Sequence, residues 1–111
     1  MTDELSSEDA KLVTLARGAR GRIGAPEGAA IRDEMGRTYS GATIDCGSLQ
    51  LTALQLAVAQ AIAAGATGVE CAVIVGAGDN PAIDCVADIA GTGVHVLLCS
   101  SDGSVRSRLT T

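Results

Sequence analysis

The chain has 111 residues, of which 47% are hydrophobic, and this size and composition indicate one folded domain over residues 1–111. Its formal net charge of -5 at pH 7 argues against nucleic-acid binding, because an acidic protein repels phosphate backbones. Tyr39 is the only aromatic residue, so the core must be built from Ala, Val, Leu and Ile side chains on closely approaching backbones. The acidic N-terminal residues lack the basic start and apolar run of a signal peptide, and we expect a cytoplasmic protein with reduced thiols.

The first predicted element is a helix over residues 6–19. Ser6 or Ser7 can cap its N-terminus, and acidic residues follow in the first turn, where the helix dipole favours them. Residues 17–24 (RGARGRIG) are predicted to leave the helix as a basic loop broken by glycine. Such a loop either contacts phosphate or ends the helix favourably in solvent.

Two strands, over residues 28–34 and 38–44, are predicted to form a hairpin, because the segment between them contains the glycine that a tight turn needs. Residues 69–75 (VECAVIV) form a continuous apolar run, which is typical of a strand buried on both faces. The remaining predicted elements, in chain order, are a helix over residues 81–90 that begins with a proline, and strands over residues 94–99 and 104–109.

Residues 49–65 (LQLTALQLAVAQAIAAG) are predicted to form a central helix, capped by Ser48 and ended by the glycine at position 65. The polar residues of this segment are scattered around the helix, so we expect it to be buried on several sides. The sheet is expected to cover one side and a second subunit another, in a homodimer or tetramer. Its Ala and Gln content indicates a buried helix in a water-soluble protein rather than a membrane span.

The predicted order is therefore α-β-β-α-β-α-β-β. A hairpin followed by two strand–helix–strand crossovers predicts an α/β fold with three α-β-α layers and a mixed sheet of about five strands.

Three segments resemble the cytidine deaminase family, whose members carry G-x-x-Y-x-G-x-N-I-E-N-A, then C-A-E-R at the start of a helix, then P-C-x-x-C at the start of the next. Residues 52–62 fall on the C-A-E-R helix, and residues 81–85 fall on P-C-x-x-C. The resemblance covers residues 8–109 and implies a cytidine deaminase-like fold. The first motif lies over residues 36–47 and matches at four positions: Gly36, Tyr39, Gly41 and Ile44.

The residues that the resemblance assigns to chemistry are mostly replaced. Family members hold zinc with three His or Cys ligands and use a Glu to move protons. Thr52 stands at the first ligand, Leu54 at the catalytic Glu and Ala82 at the second ligand, so only Cys85 remains as a candidate ligand. Residues 48–68 contain no Cys, His or Glu, and a shifted alignment therefore does not restore the site. We expect no catalytic residue and no bound zinc.

The pair that binds the ribose in the family is also changed, to Thr43 in place of Asn and Asp45 in place of Glu. Asp45 is one methylene shorter than Glu but can still accept a hydrogen bond from a hydroxyl. The resemblance thus implies weak nucleoside binding near these two residues.

Three alternatives stay open. In the first, the chain is an active nucleoside deaminase or another hydrolase with a rebuilt metal site. That site would be formed by His95, Cys46, Cys85 and an Asp, and it would require zinc. Residues 76–80 (GAGDN) follow a strand and precede a helix, where doubly wound folds bind nucleotides. An RNA-associated accessory protein would use a basic patch of four arginines: Arg17, Arg20, Arg22 and Arg37.

The leading hypothesis is a catalytically inactive binding or assembly module. The four cysteines form no C-x-x-C pair, so a zinc ribbon is not indicated, and Cys71 and Cys99 are expected to be buried as small hydrophobic residues.

Overall fold

The computed structural model describes residues 5–76, 78 and 80–111. None of the helices in these residues is long and apolar enough to cross a membrane. The elements are, in chain order, α1 (Ser7–Ile23), β1 (Gly28–Asp33), β2 (Thr38–Ala42), β3 (Ile44–Cys46), β4 (Leu49–Leu51), α2 (Ala53–Ala63), β5 (Val69–Val75), α3 (Asp84–Ala90), β6 (His95–Cys99) and β7 (Val105–Thr110).

The main sheet has five strands in the order β2-β1-β5-β6-β7. The β5 and β6 strands pair in parallel, and the other neighbours pair antiparallel. The β3 and β4 strands form a separate two-stranded hairpin. The predicted α/β fold with a mixed five-stranded sheet is therefore confirmed.

The two faces of the sheet support two aliphatic clusters. On one face, Leu12 and Ala16 of α1 pack with Val73 and Val75. On the other, residues of α2 and α3 pack with Ile74 and its neighbours. Because successive strand residues point to opposite faces, β5 contributes to both clusters. The burial predicted for Cys71 and Cys99 is confirmed, since both belong to the α1 cluster.

The α1 helix does not end near residue 19, as the sequence predicted, but continues to Ile23. Gly18 and Gly21 lie on its open side, while Ala16 and Ala19 are buried against the sheet. This packing outweighs the low helical propensity of the glycines. The helix ends at Gly24, whose φ of 63° is the left-handed conformation that favours glycine.

The predicted central helix was also wrong at its start, because Leu49–Leu51 is a strand paired with β3. The hairpin turns at Gly47, which has a φ of 63°. The α2 helix begins only after Thr52, which is its N-cap in place of the predicted Ser48. Pairing with β3 thus overrides the helical propensity of these three residues.

The α2 helix is not covered on every side. One side packs into the core through residues such as Leu54 and Ala57, but Gln55 and Ala59 face outwards, and Ile62 keeps 55% of its surface exposed. This outer side is the one that the sequence predicted a second subunit to cover.

The α3 helix begins at Asp84, three residues later than predicted, so Pro81 precedes it instead of occupying its first turn. Ile83 is the N-cap and makes no side-chain capping bond. Val86 is the residue of α3 that is buried in the core.

Candidate functional site

The first motif of the sequence lies on the β1–β2 hairpin, where it surrounds a buried carboxylate. Asp33 has no exposed surface. It accepts hydrogen bonds from the Tyr39 hydroxyl at 2.9 Å, from Arg37 Nε at 2.7 Å, and from the backbone N–H groups of Met35 and Arg37 at 2.9 Å. Burial raises the pKa of Asp33, but these hydrogen bonds outweigh it and lower the pKa to about 2.

Gly41 of the same motif sets the distance between β2 and α2. A Cβ at this position would lie 2.9 Å from both the Ala53 carbonyl oxygen and Leu56 Cβ, which is too close for any side chain. The scaffold therefore explains Gly36, Tyr39 and Gly41, because each serves the hairpin or its packing against α2.

Thr43 and Asp45 come next along the chain, at the end of β2 and on β3. The Thr43 hydroxyl accepts a hydrogen bond from the Glu27 N–H at 3.2 Å and donates one to the Glu27 carbonyl at 3.5 Å. It thus ties the end of β2 to the segment before β1. Asp45 is exposed and lies opposite Gln50 in the small hairpin.

The structure brings the two predicted nucleoside-binding residues to one open pocket of about 280 Å³. Thr43 and Asp45 line it together with Thr52 and Gln55 at the start of α2. The pocket therefore joins the predicted ribose pair to the position of the first zinc ligand.

Thr52 and Gln55 bond to each other's backbone. The Gln55 N–H donates to Thr52 Oγ1 at 3.0 Å, and the Thr52 N–H donates to Gln55 Oε1 at 2.9 Å. This reciprocal capping box satisfies two backbone donors at the helix start. The side chain at the first ligand position is thus occupied in holding the helix.

Leu54, at the position of the catalytic Glu, is 1% exposed and packs in the apolar cluster with Val58 and Val86. Its side chain can neither accept nor donate a proton. A charged group in this cluster would lose its hydration without gaining a partner.

The residues at the metal positions do not fit zinc. Ala82 has no donor atom, and the Thr52 hydroxyl is neutral and already hydrogen-bonded. Cys85 is partly buried against the same cluster as Leu54, and this burial raises the pKa of its thiol, which disfavours the thiolate that binds metals.

The rebuilt metal site is not assembled in the described residues. His95 is exposed at the start of β6, and Cys46 is exposed on the small hairpin. No three His, Cys, Asp or Glu side chains of the described residues come together as metal ligands. Of the predicted GAGDN loop, positions 77 and 79 lie outside the described residues.

The four arginines of the predicted RNA-binding patch do not lie together. Arg17, Arg20 and Arg22 are on the C-terminal half of α1, whose Arg20 approaches Gly28 at the start of β1. Arg37 is at the other end of β1, where it binds Asp33.

Sequence reasoning missed the capping box and with it the role of Gln55. The signal was present, because a Thr followed three residues later by a Gln is the capping-box pattern. It was missed because a helix predicted to start at residue 49 places Thr52 inside the helix instead of at its N-cap.

Comparison with known proteins agrees with this fold. The family described as cytidine deaminase-like matches residues 5–103. The cytidine deaminase from Burkholderia pseudomallei has 21% identity and a TM-score of 0.77, with 96% of this chain and 93% of that chain covered. The one from Mycobacterium leprae has 19% identity and a TM-score of 0.71, with 96% and 94% covered. The cytidine deaminase from Mycobacterium tuberculosis has 21% identity and a TM-score of 0.68, with 82% of this chain and 85% of that chain covered.

No curated protein matches the chain in sequence. The three solved structures share the fold, and the family match extends over most of the chain. The chain belongs to the cytidine deaminase-like family.

Proposed function

We propose that this chain is a non-catalytic member of its family that acts as a binding or assembly module without zinc, as one domain over residues 1–111. The observation that carries the proposal is the buried, apolar Leu54 at the position of the proton-shuttling Glu.

Deamination by this family's chemistry requires a zinc-bound hydroxide and a carboxylate that moves protons during the attack on the base ring. Leu54 cannot perform that transfer, and Thr52 and Ala82 cannot replace two thiolate or imidazole ligands. The capping box and the aliphatic packing give this helix start a structural role that needs no metal.

We further propose that the pocket beside α2 binds a nucleoside weakly. The exposed Asp45 carboxylate is suited to accept hydrogen bonds from a diol, whereas the Thr43 hydroxyl is already engaged with Glu27. The pocket is open to solvent, so few contacts are available and the affinity should be low.

The proposed assembly is a homodimer or tetramer in the cytoplasm. Its support is the apolar surface left by Ile62 of α2 and Leu49 of β4, which are 55% and 56% exposed. A reducing compartment is supported by the four cysteines, none of which is paired with another.

Two measurements on the untagged protein test the loss of activity. Elemental analysis should find well under one zinc per chain, and a spectrophotometric assay should show no deamination of cytidine or deoxycytidine. The cytidine deaminase from Burkholderia pseudomallei, assayed in parallel, is the positive control. Turnover that is abolished both by a chelator and by Cys85→Ala would overturn the proposal and identify a rebuilt zinc enzyme.

A further inference from the structure

Two arginines of α1 reach the edge of the sheet where the parallel strands β5 and β6 end. In α/β sheets this edge is where ligands commonly bind, since the loops that follow parallel strands meet there. Arg17 and Arg20 are three residues apart, so their side chains leave the helix on the same side.

Arg20 lies against the residue that follows β5. Gly76 has a φ of 86°, and a Cβ there would lie 2.5 Å from the Pro26 carbonyl oxygen and 3.0 Å from Arg20 Nε. Arg20 Nε donates a hydrogen bond to the same Pro26 oxygen at 3.1 Å. The glycine thus leaves the space that the Arg20 side chain occupies.

Arg17 lies in the same way against the turn that follows β6. Gly103 has a φ of 93°, and a Cβ there would lie 3.0 Å from Arg17 Cδ and 3.2 Å from Val13 Cγ1. Asp102 is close enough for the charge of Arg17 to help lower its pKa, and its Oδ1 accepts hydrogen bonds from the Ser104 N–H and hydroxyl at 2.9 and 2.6 Å.

The two places are adjacent. The Gly76 N–H donates a hydrogen bond to the Cys99 carbonyl at 2.9 Å, which joins the ends of β5 and β6. Arg106 of β7 also reaches this edge, where its Nη2 donates to the Gly78 carbonyl at 3.4 Å. Three guanidinium groups therefore lie around one edge of an otherwise acidic protein.

The terminal nitrogens of Arg20 and the whole Arg17 guanidinium have no hydrogen-bond or ion-pair partner among the described residues. A guanidinium is a planar group of donors that matches the oxygens of a phosphate. Two such groups, packed against Gly76 and Gly103 at adjacent strand ends, are suited to one anion.

We propose that Arg17 and Arg20 bind the phosphate group of a phosphorylated small molecule at the carboxyl ends of β5 and β6. The site does not depend on nucleoside binding near Asp45.

The test is a titration of the full chain with inorganic phosphate at constant ionic strength, followed by NMR through the Nε–Hε signals of the arginines. We expect saturable shifts of the Arg17 and Arg20 signals with a dissociation constant in the millimolar range. Arg17→Gln and Arg20→Gln should each weaken binding about tenfold or more, because each removes a charge-assisted pair. Arg20→Lys should weaken it too, since it keeps the charge but loses the planar donors.

Lys11→Gln is the matched control, because it removes one positive charge from an exposed position of the same helix and should leave the affinity unchanged. Since cations near the C-terminus of a helix also stabilise it, the thermal midpoint of each variant is measured alongside. Non-saturable shifts, or equal losses in Lys11→Gln, would overturn the site. The small-ligand proposal would also fail if a single-stranded RNA displaced phosphate with a steep salt dependence, which would indicate a polynucleotide backbone instead.

Discussion

Asp33 is the residue on which the β1–β2 hairpin depends most. It is fully buried, yet four hydrogen bonds, one of them from the Arg37 guanidinium, stabilise its charged form. The next residue, Glu34, accepts hydrogen bonds from the Thr67 N–H and hydroxyl and from the Gly68 N–H. The hairpin turn is thereby attached to the loop between α2 and β5.

The first prediction concerns acid stability. The pKa of Asp33 is about 2 in the folded chain, below its ordinary value of 3.8. Its contribution to stability is therefore present above the ordinary value and lost as the pH falls from about 4 towards 2. Denaturant midpoints measured across this range should fall for the natural chain. Asp33→Asn should be less stable at neutral pH and should show a flatter dependence on acid.

Asp102→Asn is the control for this experiment, because Asp102 is exposed and its hydrogen bonds to other described residues stay within its own turn. It should keep most of the acid dependence. An unchanged acid slope in Asp33→Asn would show that other carboxylates, and not Asp33, are responsible.

Leu54 stands at the position that the resemblance assigns to the catalytic Glu, and the second prediction tests how tightly it is packed there. Leu54→Ala should lower the free energy of unfolding by about 2–5 kcal/mol, since it leaves a cavity in the core. Leu54→Glu should lower it further, because it buries a carboxylate without a partner, and it should restore no deamination. Chemical denaturation followed by circular dichroism measures both effects.

Leu49→Ala is the matched control. Because Leu49 is 56% exposed, this substitution should lower the free energy of unfolding by less than about 1 kcal/mol. Leu54→Glu with near-normal stability would mean that this position admits water and charge, contrary to its packing here.

At the level of elements, the C-terminal half of α1 shows how tertiary packing decides a helix end. The segment is rich in glycine, but the buried residues Ala16 and Ala19 and the close approach of the Gly28 backbone hold it against the sheet. Any side chain on Gly28 would overlap the Ala16 carbonyl. Arg20 of the same segment also donates a hydrogen bond from Nε to the Pro26 carbonyl oxygen.

The third prediction is that alanine substitutions of Gly21 and Gly24, at the C-terminal end of α1, change stability in opposite directions. Gly21 is inside α1 with open space around it, so Gly21→Ala should stabilise the protein by about 0.5–1 kcal/mol. Gly24 has a φ of 63°, so Gly24→Ala should destabilise it by about 1 kcal/mol. Thermal unfolding of the two variants gives the signs. A destabilising Gly21→Ala would indicate that residue 21 is not helical.

On the surface of the whole molecule, Ile62 of α2 and Leu49 of β4 are exposed apolar side chains, and the fourth prediction concerns the role of this surface. If this surface joins copies of the chain, Ile62→Glu should raise the dissociation constant of the oligomer about tenfold or more, because it removes buried apolar area and adds charge. Light scattering at micromolar concentration measures the mass.

Leu15→Glu is the control for the oligomer, since Leu15 is exposed on α1 in the opposite layer. It should leave the mass unchanged. A monomeric natural chain at micromolar concentration would contradict the proposed assembly, as would an effect of Leu15→Glu equal to that of Ile62→Glu.

At the same scale, the fold was largely predictable and the site only partly so. The bounds of β5 follow from an apolar run that must be buried on both faces, and the β1–β2 hairpin follows from its strands and turn glycine. That Thr43, Asp45 and Thr52 share a pocket was not predictable from spacing, because β4 of the small hairpin that brings them together was predicted as helix.

The sequence by itself determined the order of the three helices and the five strands of the main sheet, and the absence of ligand and proton-shuttling side chains on the central helix, because both depend on residue identity and local periodicity. Only the tertiary structure decided that α1 continues through its glycines, that Leu49–Leu51 pairs as a strand, and that Thr52 caps α2. These features depend on contacts between segments that are distant in the chain, and such contacts can outweigh local propensities of about 1 kcal/mol per residue or less.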